Sequence, residues 1–144
     1  IEWGAFGEGH PEYLPTNVLD RMLDAISPNP GKQLYEKMVS GMYLGELVRL
    51  ALVEKGIPTP HTEPFTFETR FLSDIASTVS KNEDLSLFMN QKLSLETTQI
   101  TPAALAQLSH AVMKRSAILC ATGIAAVSSH LFDPTEEVVV AIDG

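Results

Sequence analysis

Asn29-Pro30-Gly31-Lys32-Gln33-Leu34-Tyr35-Glu36-Lys37-Met38, continued by Val39-Ser40-Gly41-Met42-Tyr43-Leu44-Gly45-Glu46-Leu47-Val48-Arg49-Leu50, is the stretch on which the reading of this chain turns. From Lys32 to Lys55 the text is helical. Leu34, Met38, Leu44, Leu47, Val48, Ala51 and Leu52 build a broad apolar face, and Gly56 ends it as a C-terminal glycine. Gly41 inside the run costs about 1 kcal/mol relative to alanine, which predicts a break or a close approach there. Gly41 and Gly45 share a spacing that lets a ligand or another helix come near the backbone, helix packing being the commoner outcome.

Upstream, Ile1 to Gly7 alternates apolar with small or polar residues and reads as a strand end entering a loop. Thr16 or Asn17 can cap a helix carrying Val18, Leu19, Met22, Leu23 and Ile26, and Ser27-Pro28-Asn29-Pro30-Gly31 stops it. Downstream, Ile57 to Pro64 is a proline-rich connector. Phe67, Phe71, Leu72, Ile75 and Val79 mark a further helix, and Glu83 to Leu93 another, with Asn82 as its cap. Thr101-Pro102 sets a capping hydroxyl before a proline and starts a helix expected to run to about Leu131. Glu136 to Ile142 is a β-branched run without alternation, as in a strand buried on both faces, and it leads into Asp143-Gly144. Two strands at the ends with helices between them make an α/β arrangement. Such strands need sheet neighbours from outside the window, so the chain is expected to be part of a larger domain.

The 144 residues carry 10 Lys plus Arg against 18 Asp plus Glu, a net charge of −8. That balance argues against a sequence-independent nucleic-acid binder, which needs an excess of cations to neutralise phosphates. With 44% hydrophobic and 19% charged residues the composition is that of a globular protein. The uncharged stretch from Ser116 to Phe132 includes His130, Thr122 and Gly123, and is expected to be too short and too polar to span a membrane. A single cysteine, Cys120, fits a reducing compartment, and the expected location is cytoplasmic.

Several groups bear on chemistry. Glu2 on a strand points opposite to Ile1 and Trp3, while Gln33 and Glu36 are three residues apart near a helix start. Carboxylates are acceptor-only and glutamine both donates and accepts, so the three suit the vicinal hydroxyls of a neutral polyol. Two surface glutamates are the plainer reading of the spacing. Trp3 is a candidate stacking platform, with core packing the commoner role. Thr69, Arg70 and Ser73 at a helix start suit a phosphate or nucleotide, or simply a solvated face. Asp143-Gly144 opens a phosphate-binding turn or is an ordinary turn. The histidines and Cys120 show no metal-ligand spacing, and no G-x-x-x-x-G-K-[ST] loop, G-x-S-x-G elbow or H-E-x-x-H is present.

Together the blocks say more than they do singly. Glu2 to Gly7, Asn29 to Met38 and Ser40 to Leu50 closely resemble the hexokinase family, and Phe67-Glu68-Thr69-Arg70-Phe71 and Val140 to Gly144 match further blocks in order. The resemblance implies that residues 1–144 are part of the large, C-terminal domain of an actin-like ATPase fold, a helix-rich segment between sheet strands. The small domain and the end of the large one would lie elsewhere. It implies phosphorylation of glucose or a related hexose at the 6-hydroxyl by magnesium-ATP, the first step of glycolysis, in a cleft shared with the small lobe. Position by position, Glu2, Gln33 and Glu36 correspond to sugar-binding residues. Gly41, Met42, Thr69, Arg70, Ser73, Asp143 and Gly144 correspond to nucleotide-binding ones. Met42 departs from members with lysine there, which removes a charge contact. The catalytic aspartate of the family precedes Glu2, so this segment alone is expected to be inactive. A non-catalytic, sugar-sensing hexokinase-like half and a stand-alone helical interaction module are the alternatives.

Overall fold

The computed structural model describes residues 3–133 and 135–141. A capping box opens the first helix, α1 (Val18–Ile26): Asn17 Oδ1 accepts the Leu19 and Asp20 N–H groups, while the Asn17 N–H donates to Asp20 Oδ2. The helical text after Lys32 divides as Gly41 foretold. Helix α2 (Leu34–Val39) ends at Ser40, whose backbone is extended and whose hydroxyl accepts the Met42 N–H at the head of α3 (Gly41–Glu54). Every residue of α3 from Tyr43 to Leu52 is buried, so this helix is the axle of the fold, touching both α1 and α2.

Helix α4 (Arg70–Ser80) buries Leu72 and Ile75, and Asn82 leaves it with a left-handed backbone, φ 56°. The cap of the next element is therefore Asp84, not Asn82. Its carboxylate accepts the Ser86 and Leu87 N–H groups of α5 (Leu85–Phe88), which runs on as a π-turn over Met89–Leu93. Thr101 and Pro102 start α6 (Pro102–Leu131) as expected, with the threonine hydroxyl accepting the Ala104 N–H at 3.2 Å. One apolar core gathers Leu23, Leu47, Val48, Leu52, Phe67, Leu72, Ile75, Met89, Leu93, Leu95 and Leu105.

Helix α6 joins this core unevenly. Leu105, Ser109 and Ser116 are buried, Arg115 forms a two-pronged pair with Asp20 at 2.8 Å on each arm, and the Ser116 hydroxyl donates to the Val39 carbonyl. Ile118 and Leu131 are exposed, and Cys120 is half-buried. The uncharged stretch is one part of a 30-residue helix that is, by length and composition, long and apolar enough to cross a membrane. It packs against α2, α3 and α4.

Neither end segment is a strand among the described residues. Residues 3–9 form successive turns, with the Phe6 N–H on the Trp3 carbonyl and the Glu8 N–H on that of Ala5. Residues 137–141 carry no ladder, and Val139 is 90% exposed. A β-branched run has strand propensity, but a strand exists only beside another strand.

Candidate functional site

The turn at the amino-terminal side lands on α2. The Gly4 carbonyl accepts the Glu36 N–H at 3.2 Å, so the backbone two residues beyond Glu2 is hydrogen-bonded at Glu36 itself. Tyr35 supplies the apolar half of the junction. The rings of Trp3 and Phe6 meet it edge-on at 6.2 and 6.0 Å, and its hydroxyl donates to the Leu119 carbonyl at 2.6 Å. Trp3 thus packs, half-buried, against Tyr35 and the backbone at Gly123. Burial, followed by the Cys120 thiol, raises the Tyr35 hydroxyl above the usual tyrosine range.

Gln33 and Glu36 share this place, but not as two residues of one helix face. Gln33 stands before α2 in the left-handed region, φ 49°, and Glu36 lies in the first turn. The Gln33 N–H donates to Glu8 Oε1 at 2.5 Å, and Glu8 Oε2 pairs with Lys32. These contacts, the backbone N–H first, hold the Glu8 carboxyl below the ordinary glutamate range. The Glu36 carboxylate is half-buried and sits near the Tyr43 hydroxyl, whose pKa is raised by burial first and by that charge second. Glu2 lies outside the described residues.

Behind the loop stands a charged support that the sequence reading missed. The Lys37 ammonium, its side chain 3% exposed, pairs with Asp24 Oδ1 at 2.7 Å and donates to the Asn29 carbonyl at 2.8 Å. The Gly31 N–H donates to both Asp24 oxygens at 3.0 Å. The one signal available was a lysine directly before Met38 and Val39 and two residues after Tyr35. A cavity of about 330 Å³ borders Asp20, Asp24, Gly31, Lys37 and Met38, and neither Gln33 nor Glu36 lines it. The surface at Gln33 and Glu36 thus lies outside that cavity.

Of the second group of predicted residues, Thr69 lies where the entry to α4 meets α3. A Cβ on Gly45 would stand 2.0 Å from the Phe67 carbonyl oxygen, so only glycine permits the α4 entry segment to lie on α3. The Gly45 N–H donates to Thr69 Oγ1 at 2.8 Å. The close approach thus falls at Gly45, and the break at Gly41. Gly41 lies one turn earlier on the same face, roughly 6 Å along the axis, which brings the head of α3 beside Thr69. Gly41 and Met42 are exposed there. Arg70 is exposed, pairs with Glu68 at 3.0 Å and covers the Phe71 ring, and Ser73 is exposed one turn on. Asp143 and Gly144 lie outside the described residues.

The connector before α4 is held from α3. Glu46 and Arg49, 1% and 5% exposed, form a buried pair. Glu46 also accepts the Phe65 N–H at 2.6 Å, and Arg49 donates to the Thr62 carbonyl. Phe65 is thereby kept at φ 62°, a conformation costly for an aromatic residue.

The known proteins that this arrangement matches agree with one another. A family model described as Hexokinase covers residues 1–144. Hexokinase-2 of Rattus norvegicus is 40% identical over 136 residues, covering 88% of this chain and 15% of its own length. Hexokinase-1 of Pongo abelii is 40% identical over 141 residues with the same coverage. Among solved structures, a crystal structure of a hexokinase superposes with a TM-score of 0.73 at 32% identity, over 87% of this chain and 28% of that one. The hexokinase of Schistosoma mansoni complexed with glucose gives 0.70 at 35% identity, over 87% and 31%. The chain thus spans about 15% of the length of these curated relatives. Its helices follow the actin-like ATPase fold of those structures, of which it is a helix-rich segment. With the family model matched from end to end, this chain belongs to the hexokinase family.

Proposed function

We propose that the complete protein transfers the γ-phosphoryl group of magnesium-ATP to the 6-hydroxyl of glucose or a related hexose, the entry step of glycolysis, in the cytoplasm. Residues 1–144 are then part of the large domain. They hold the sugar through Glu2, Gln33 and Glu36, and part of the nucleotide through Gly41, Met42, Thr69, Arg70, Ser73, Asp143 and Gly144. The base that takes the hydroxyl proton comes from outside this segment, which is inactive alone. The observation that carries the reading is the bond from the Glu36 N–H to the Gly4 carbonyl, because it draws two stretches far apart in sequence to one wall.

The division of labour follows from charge. Ionised carboxylates accept hydrogen bonds from neutral hydroxyls, and a site built on such acceptors rejects analogues lacking a hydroxyl. The N–H groups at the head of α3 and the exposed Arg70 guanidinium suit the anionic nucleotide. Arg70 is free to turn, because its surface pair with Glu68 is weak. The small lobe of the complete protein closes over both and excludes water, which would otherwise accept the phosphoryl group.

Titration calorimetry with glucose on the complete protein tests this. Glu36→Ala and Glu2→Ala are each expected to cost about 2 kcal/mol, roughly 30-fold in Kd, with the fold retained. Unchanged affinity in both variants rejects the assignment.

A further inference from the structure

We infer that Asn29 is a positioning residue for the hexose site: its amide, carried on a backbone anchored by the Asp24–Lys37 pair, turns the Gln33 side chain so that the –NH2 group of Gln33 faces the sugar. The inference rests on the reading of Gln33 and Glu36 as sugar ligands.

Asn29 Nδ2 donates to Gln33 Oε1 at 2.7 Å. With its oxygen engaged by Asn29, Gln33, an exposed residue, presents its Nε2 on the other side of the amide. The backbone is anchored at both ends of this amide pair. The main-chain carbonyl of Asn29 receives the Lys37 ammonium at 2.8 Å, and Asp24 fixes Lys37 at 2.7 Å and the Gly31 N–H at 3.0 Å. At the other end, the Gln33 N–H is held by Glu8 at 2.5 Å, in a left-handed conformation that a non-glycine residue keeps only under constraint.

The direction of the amide follows from what surrounds Asn29. Its Oδ1 is buried with no hydrogen-bond partner among the described residues. Turned over, Asn29 would face Gln33 with oxygen and leave its –NH2 in that unpartnered position. An orphaned buried N–H is rarer in proteins than an under-satisfied carbonyl, so the observed orientation is the favoured one. Gln33 is thereby a donor and Glu36 an acceptor, and the wall offers both to neighbouring hydroxyls. A glutamine without Asn29 would sample both orientations and present the wrong group part of the time.

A double-mutant cycle on glucose Kd in the complete protein, by calorimetry, tests the inference. Asn29→Asp replaces the donor with an acceptor and should weaken glucose about tenfold, and Asn29→Ala should do so by a few-fold. Both should leave the apparent requirement for ATP unchanged. In a Gln33→Ala background neither Asn29 change should weaken glucose further, because Asn29 acts only through Gln33. Losses that persist in that background, or that extend to ATP, overturn the inference and make Asn29 merely structural. If Gln33→Ala has no effect while Glu36→Ala weakens glucose, the inference falls and the hexose reading stands. If neither does, both fall.

Discussion

The two halves of the candidate site are secured by opposite means. The loop on the proposed sugar side, residues 27–33, hangs on charge: Asp24 with Lys37 behind it, and Glu8 with Lys32 beside it. The joint on the proposed nucleotide side hangs on shape: Gly45 lets the backbone of Phe67 to Thr69 lie directly on α3. A charged support answers to pH, salt and the loss of a partner. A steric joint answers to volume.

Adding a single methyl group should do the most damage. Gly45→Ala puts a Cβ against backbone atoms that cannot rotate away, and a loss of about 3 kcal/mol is expected in urea denaturation of the complete protein. A loss below about 1 kcal/mol would mean that the joint yields and is not held by shape. Next comes Lys37→Met. Breaking a buried pair is costly, but the Asp24 side chain is 25% exposed and water moderates the penalty, so about 2 kcal/mol is expected. Glucose affinity should fall with it and the ATP requirement should hold; the reverse would assign the pair to the wrong half.

Thr69→Val is milder. It deprives the Gly45 N–H of its side-chain acceptor, for about 1 kcal/mol, and should raise the apparent KM for ATP with little change for glucose. Glucose KM moving alone would contradict the division. The smallest effect is that of Glu8. Its carboxyl pKa is lowered in the folded protein, so its contribution is complete above the ordinary glutamate value and is lost as pH falls through the lowered one. Glucose affinity should therefore decline at acid pH in the parent protein, while Glu8→Gln lacks that part of the decline. Raised salt should weaken the Lys32 contact and leave the Gly45 joint untouched.

What was legible in the sequence is what neighbours in sequence decide. Asn17 before an apolar period, Thr101 before Pro102, and Gly41 inside a helical run are local signals, and the structure obeys each. Asn82 and Asp84 are both capping types two residues apart, and only the left-handed backbone at Asn82 separates them. The pairing of Arg115 with Asp20, 95 residues away, has no periodic signature, nor has Lys37 reaching back to Asp24. Gln33 and Glu36 were found as site candidates by residue type. Their relation to the amino-terminal turn depends on the Gly4 carbonyl, and no side-chain pattern records a backbone bond. The strand reading of residues 136–142 answered a true propensity, but a ladder is a property of two segments and the second is not among those described.

The uneven seating of α6 has a mechanical consequence. A helix of 30 residues is a strut about 45 Å long, clamped at Leu105 and Ser109 and pinned midway by Arg115 and Ser116. Because such a rod bends only gently, a small tilt at the clamped end swings the free end through a larger arc. Leu131, about two turns past the contact of Gly123 with Trp3, takes its angle from the seats at Arg115, Leu119 and Gly123, which together are the fulcrum.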